Sequence, residues 1–232
     1  MKRKLIIQGN DFFFNEENLS NDTNEPISIE DARILLNTTK KAFSAIGLDF
    51  YLAFGTLLGA IREKSLIKND EDVDVFIDDE ELLYNNLPFL EEQGMHLIRC
   101  WQGDTYTFRM SNNSYIDVYI LKPWTMGIWK YYCHALCNLP TPKKFFKEYQ
   151  KIDFLGVKCM CPKNPEKLVA FWYGKNWRTP VRGHKFIYEA RSHYYYIKYW
   201  KGERGFYTWF AQNVIHKLMV GVGLRKNEKY GR

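Results

Sequence analysis

The sequence predicts an α+β domain: a small mixed β-sheet flanked by helices, carrying a basic helical extension at its C-terminal end. Three observations lead there. Period-two segments such as Val73, Val75 and Ile77 recur between segments of helical spacing. Acidic residues fall inside the most regular strand patterns. Charge is divided unevenly along the chain, with 13 Lys and Arg against 3 acidic residues from Lys175 to Arg232.

Taken in order, residues 1–28 hold a short strand at 5–7 and then a polar stretch rich in Asn and Glu. Ser28-Ile29-Glu30-Asp31 has the form of an N-cap with an acidic third position, opening a helix to about Ile46 with Ile34, Leu35, Ala42, Phe43 and Ile46 apolar. Gly47 is its stop signal. A strand is predicted over 49–54, a turn at Gly55-Thr56, a short helix over 57–62 and a strand over 72–77. A helix over about 79–93 precedes strands at 95–101, 106–110 and 115–121, the first two joined through Gly103-Asp104. Farther on, 143–150 reads as helical and 154–161 as a strand pair turning at Gly156. Asn164-Pro165-Glu166 opens a helix to about Tyr173, Pro being well placed in a first turn. Apolar residues at 210, 214 and 218 and at 211, 215 and 219 predict a last helix, ended by Gly221 and Gly223. Three regions result: an N-terminal strand and polar segment (1–28), a main α+β domain (29–180) and a basic aromatic helical extension (181–232).

Composition narrows the class. A chain of 232 residues with 46% hydrophobic and 26% charged residues is an ordinary globular protein able to bury a core. The net charge of +6 arises in the C-terminal quarter, which suggests an anionic partner there or a solvated basic helix face. Five cysteines, an odd number, and no secretory h-region after Met1-Lys2-Arg3-Lys4 predict a reducing, cytoplasmic setting. No uncharged apolar run of roughly 18 residues occurs, so no span is predicted. The 206–224 stretch is amphipathic; it either docks on the domain or lies on the inner face of a membrane. No nucleic-acid-binding motif is recognisable, and no nucleic acid partner is expected.

Chemistry concentrates in Gly55-Thr56-Leu57-Leu58-Gly59-Ala60-Ile61-Arg62 and in Asn69-Asp70-Glu71-Asp72-Val73-Asp74. On a strand, Asp72 and Asp74 project from one face. Two carboxylates that close repel each other unless a cation lies between them, and Mg2+ (or Mn2+) takes such hard oxygen ligands together with substrate phosphates. Asp117 lies in a strand pattern that is otherwise apolar and needs a partner, which a shared cation supplies. Gly55-Thr56 opening a helix would present backbone N–H groups and a hydroxyl to a phosphate. Acidic runs such as 69–74 are more often solvated loops; the alternation, the Gly-Thr bend and the third Asp together turn the balance. Asp70 is open to either role, and Glu71 points the other way.

These residues resemble the nucleotidyltransferase superfamily, and the run Gly-Thr-Leu-Leu-Gly-Ala-Ile-Arg followed by an acidic cluster is similar to the LicD family. The downstream blocks Cys161-Pro162-Lys163-Asn164-Pro165-Glu166-Lys167-Leu168 and Tyr173-Gly174-Lys175-Asn176-Trp177-Arg178-Thr179-Pro180 extend the resemblance over roughly residues 30–180. Two departures stand out. Lys68-Asn69 replaces the family's Pro-Trp before the cluster, and Glu71 replaces its second Asp.

The resemblance implies a nucleotidyltransferase fold and transfer of a substituted phosphate from a CDP-activated alcohol to a sugar hydroxyl of a glycan, with CMP leaving. Mg2+ would sit on Asp72 and Asp74, and Asp117 would complete the metal site or accept the proton of the attacking hydroxyl. Gly55, Thr56, Arg62, Lys68, Asp70, Lys175 and Arg178 are the candidate substrate-binding residues, with Arg182 and His184 behind them. Arg62 reads equally as a surface Arg at a helix end. Cys133, Cys137, Cys159 and Cys161 are read as buried free thiols rather than a zinc site, and His134 as structural. Two further readings remain: transfer of a nucleotidyl group from an NTP, and an inactive glycan- or nucleic-acid-binding module.

Overall fold

The computed structural model describes residues 1–19, 25–110, 114–126, 129–133 and 141–180. The segment 181–232, with Arg182, His184 and the helix expected over 206–219, lies outside the described residues, as do His134, Cys137 and the Cys133 side chain.

The chain opens with a hairpin, β1 (Lys2–Ile7) against β2 (Asn10–Asn15). The single predicted strand is thus half of a pair. Gln8 and Gly9 both adopt positive φ (49° and 83°), the backbone of a tight two-residue turn, but Gln-Gly lacks the Asn-Gly signature that would have marked it. Helix α1 (Ile29–Ala45) starts as predicted, with the Ser28 hydroxyl accepting from the Asp31 N–H at 3.0 Å. Gly47 at φ 75° comes just after its end.

Strand β3 is only Tyr51–Leu52, because helix α2 (Phe54–Arg62) begins at once. Gly55 and Thr56 therefore lie in the first helical turn rather than in a turn before it. Phe54 holds a positive φ of 32°, uncommon for a bulky residue; its ring is locked against Phe76, Tyr119 and Trp172 at centroid distances of 4.9–5.0 Å.

Strand β4 (Val73–Ile77) is buried throughout. The predicted helix at 79–93 is two, α3 (Glu80–Asn85) and α4 (Leu87–Glu92). Pro88 breaks it, having no N–H to donate and no room for the carbonyl one turn back. β5 (His96–Trp101), β6 (Thr105–Arg109) and β7 (Tyr115–Ile120) come next, close to the predicted bounds. β8 (Lys122–Met126), β9 (Trp129–Cys133) and β10 (Thr141–Pro142) form a separate three-stranded sheet in a stretch where no element was predicted.

Instead of a helix over 143–150 there is a single 3-10 turn at Lys143–Phe146, and Tyr149 and Gln150 belong to β11 (Tyr149–Phe154). β11 pairs with β12 (Val157–Pro162) about Leu155 and Gly156, both at positive φ. Helix α5 (Pro165–Tyr173) matches its prediction and ends at Gly174, φ 83°.

The main sheet has seven strands in the order β11-β12-β3-β4-β7-β6-β5. Its centre is the parallel pair β4/β7; β3 runs antiparallel to β4, and β6 to β7. Buried Leu35, Leu36 and Phe43 of α1, Leu83, Leu90 and Trp172 pack with the strand residues Phe76, Val118 and Phe108 into one core. Hydrophobic burial is the main stabilising term, and a polar residue placed at the centre of such a sheet must find a partner. No helix among the described residues is long and apolar enough to cross a membrane.

Candidate active site

Pairing register carries a polar line across four strands. Arg99 lies opposite Thr107, Thr107 opposite Asp117, and Asp117 opposite Asp74. Opposed residues in a sheet project from the same face, so these four side chains stand in a line above it. Asp72, two residues before Asp74, joins the line's acidic end.

One carboxylate oxygen each of Asp72, Asp74 and Asp117 lies within 4.8 Å of the others. Asp74 is 8% and Asp117 3% exposed. Burial, and then the neighbouring carboxylates, hold Asp72 and Asp74 well above the usual carboxylate range. Asp70 is also pushed up, to about 8, by burial and by the charges of Asp72 and Glu71. Its Oδ2 is buried and makes no hydrogen bond among the described residues.

Helix α2 holds Asp74 from its first turn. The Gly55 N–H donates to Asp74 Oδ2 at 3.2 Å, and the Thr56 hydroxyl accepts from the Asp74 N–H at 2.8 Å. The two groups expected to face a phosphate are thus turned onto the acidic strand, where they fix its carboxylate. A Cβ at position 55 would lie 3.3 Å from Asp70 Oδ1 and 3.4 Å from Asp74 Oδ2, so glycine leaves room for both carboxylates. At Gly59 a Cβ would come within 2.5 Å of the Ser65 carbonyl oxygen, so this glycine lets the loop leading to Asp70 lie directly on α2.

Asp117 is held differently. Arg99 Nη2 donates to both of its oxygens at 3.0 Å, and the Thr107 hydroxyl donates to Oδ1. Arg99 Nε donates in turn to Thr107 Oγ1 at 2.9 Å. The Tyr119 hydroxyl donates to Asp117 Oδ2 at 3.4 Å. Tyr115 lies close enough to Asp72 and Asp117 that their charges add to burial in raising its phenol. None of Arg99, Thr107, Tyr115 or Tyr119 was among the candidates from sequence.

The other candidates lie around this line or apart from it. Lys68 is exposed in the loop before Asp70, and Lys175 is exposed beyond α5; among the described residues neither forms an ion pair. Arg62 is mostly buried, its Nε donating to Glu63 at 2.6 Å and its Nη1 to the Trp177 carbonyl at 3.1 Å, which ties α2 to the segment after α5. Arg178 is exposed, paired with Glu166 at 2.5 Å and lying over the Trp177 ring. Cys159 and Cys161 are buried on the core face of β12, their thiols pushed up by burial, Cys159 to about 12. A cavity of about 280 Å³ between the β1/β2 turn and the Pro88 break contains none of the acidic cluster.

The donor set suits a hard divalent cation. It offers three converging carboxylates, a carboxylate oxygen of Asp70 that is buried with no partner among the described residues, and mutual repulsion that a cation would relieve. Asp72 and Asp74, with Asp117 behind them, are the residues that would hold it.

A mixed sheet that gathers aspartates from two adjacent parallel strands beside the first turn of a helix defines a domain of the nucleotidyltransferase kind. Residues 47–164, just over half of the chain, match the family model described as "LicD/FKTN/FKRP, nucleotidyltransferase domain", and the chain belongs to that family. It is similar to the human ribitol-5-phosphate transferase FKTN, 24% identical over 179 residues that cover 73% of this chain and 38% of the relative. The mouse FKTN is 24% identical over 160 residues, covering 65% and 34%. The chain thus spans little more than a third of the length of the curated relatives it matches. Among solved structures it is similar to the lincomycin-bound lincosamide antibiotic adenylyltransferase LnuA, with 13% identity, a TM-score of 0.40, and coverage of 62% of this chain and 85% of that one.

Proposed function

We propose that the protein is a Mg2+-dependent transferase that moves a substituted phosphate from a CDP-activated alcohol to a sugar hydroxyl of a glycan and releases CMP. The observation that carries this reading is the convergence of Asp72, Asp74 and Asp117 within 4.8 Å, inside a domain of the LicD/FKTN/FKRP family. The FKTN relatives, named as ribitol-5-phosphate transferases, favour ribitol among the candidate alcohols, with choline and glycerol as the others.

Asp72 and Asp74, with Asp117, would hold a divalent cation, which would supply charge neutralisation for the donor phosphates and the departing CMP. The residues of the chain supply position. The first turn of α2 holds the Asp74 carboxylate on line, and the Gly59 contact keeps the Asp70–Asp72 loop down on the same helix. Such fixed geometry accounts for much of the acceleration in phosphoryl transfer. Exposed Lys68 and Lys175, with Arg178, are available to the donor phosphates or an anionic acceptor. A lipid-linked acceptor would bring the basic 181–232 segment to the inner membrane surface.

The test is incubation with Mg2+, an acceptor glycan and CDP-ribitol, CDP-choline or CDP-glycerol in turn. The expected products are CMP and a glycan carrying the alcohol phosphate. Release of pyrophosphate from an NTP, with no CMP from any CDP-alcohol, overturns the proposal. The role of Asp117 separates in Asp117→Asn. Lost turnover with Mn2+ binding intact assigns proton acceptance, and loss of both assigns a metal ligand.

A further inference from the structure

We infer that Arg99 is a positioning residue for the third carboxylate, a resident cation that holds Asp117 in line and sets how strongly the acidic cluster attracts a divalent ion. The inference rests on the proposed function in one respect, that the cluster holds such an ion.

The backbone is built to place this side chain. Leu97 pairs with Phe108, so regular pairing would put Ile98 opposite Thr107 and turn Arg99 to the sheet's other face. The register slips between Leu97 and Arg99, and Arg99 takes the place opposite Thr107. An extra residue in an edge strand re-aims the side chains beyond it, and such bulges recur next to active sites. Ile98, the extra residue, is buried, and its carbonyl accepts the Glu17 N–H at 2.9 Å, which anchors the bulge from outside the sheet.

Once re-aimed, the guanidinium is engaged through Nε and Nη2. Arg99, Thr107 and Asp117 close a ring of hydrogen bonds: Arg99 Nε to Thr107, Thr107 to Asp117 Oδ1, and Arg99 Nη2 back to both Asp117 oxygens. The Trp101 ring lies 4.9 Å from the guanidinium carbon. The Arg99 side chain is 16% and that of Asp117 5% exposed, so little water screens the pair. The Asp117 carboxylate therefore cannot rotate away when Asp72 and Asp74 repel it. The same positive charge opposes any ion entering the cluster.

The two effects act in opposite directions on Arg99→Gln, and this separates them from simple structural damage. In the full chain, Mn2+ titration followed by electron paramagnetic resonance should show Arg99→Gln binding about tenfold more tightly than wild type, the order set by a unit charge several ångströms away at the effective dielectric of a protein site. Turnover with the CDP-alcohol should fall at least tenfold, since Asp117 is no longer held. Arg99→Lys keeps the charge and Thr107→Val keeps the guanidinium; both should bind Mn2+ like wild type and turn over more slowly. Unchanged or weaker Mn2+ binding by Arg99→Gln overturns the inference, and so does a cluster that binds no Mn2+ in either wild type or variant. If Arg99→Gln fails to fold, Arg99→Lys and Thr107→Val decide, and wild-type turnover in both overturns it. A wild-type chain inactive on every CDP-alcohol removes the proposed reaction, while the Mn2+ affinities still judge Arg99.

Discussion

Asp74 and Asp117 are direct neighbours on adjacent parallel strands, yet they are held by different means. Asp74 is fixed by a helix start less than twenty residues away in sequence, through the Gly55 N–H and the Thr56 hydroxyl. Asp117 is fixed by side chains from two other strands, Arg99 and Thr107, and the Arg99 guanidinium sets a positive charge against it. Nothing of opposite charge reaches Asp74 or Asp70 among the described contacts. The acidic line thus has a compensated end at Asp117 and an uncompensated one at Asp74 and Asp70, with Asp72 beside Asp74 and only weakly offset by the Arg99 charge. The uncompensated end is where a cation gains most.

The largest effect should come from that end. Asp72→Asn or Asp74→Asn should lower turnover at least about 10³-fold, roughly 4 kcal/mol of lost transition-state stabilisation. In buffer containing EDTA the same variants should melt at or above the wild-type temperature, because each removes a repelling charge. A variant that loses activity and also melts lower in EDTA would show that these carboxylates are structural, and would end the distinction between the two ends.

The same contrast explains what could be read beforehand. Gly55-Thr56 and Asp72-Val73-Asp74 are local patterns: a helix start and a period-two strand place their own side chains, so the uncompensated end was legible. Arg99 was not, because plain alternation assigns it to the opposite face and only the slip after Leu97 reverses that. Thr107 and Tyr119 are ordinary strand residues until register places them beside Asp117. Secondary structure failed for similar reasons. The β1/β2 hairpin turns through Gln-Gly, the 79–93 helix contains Pro88, and Tyr149 and Gln150 of the expected 143–150 helix pair with β12, which no local pattern announces.

Hydroxyl deletions sharpen the comparison. Thr56→Val leaves the buried Asp74 N–H without its acceptor and should cost about 1–3 kcal/mol. Thr107→Val should cost a similar amount but leave Arg99 on Asp117. Denaturant unfolding measures both. If Thr56→Val costs under about 0.5 kcal/mol, the first turn of α2 does not hold the acidic strand as described. Gly59→Ala should come next at about 1–3 kcal/mol, since the new methyl meets the Ser65 carbonyl and the loop must lift. Gly55→Ala, whose methyl would lie no closer than 3.3 Å to any oxygen, should disturb stability less and activity more.

The most gradual effect concerns protons. Asp70 has its ordinary value near 3.8 in the unfolded chain and about 8 in the fold, so between these limits the folded state holds a proton that the unfolded state has lost. Stability without a cation is therefore greatest on the acid side and falls as pH rises from about 4 to about 8, by at most about 1.4 kcal/mol per pH unit for one such group. A divalent cation should reverse the trend, because it holds the carboxylates in their ionised form. Melting temperatures from pH 5 to pH 8 should slope downward in EDTA and flatten or rise with Mg2+. Asp70→Asn should lessen the EDTA slope without abolishing it, since Asp72 and Asp74 are raised by the same burial and repulsion. A flat EDTA profile in wild type would mean that these carboxylates are already compensated, and that the two ends of the line do not differ in charge balance.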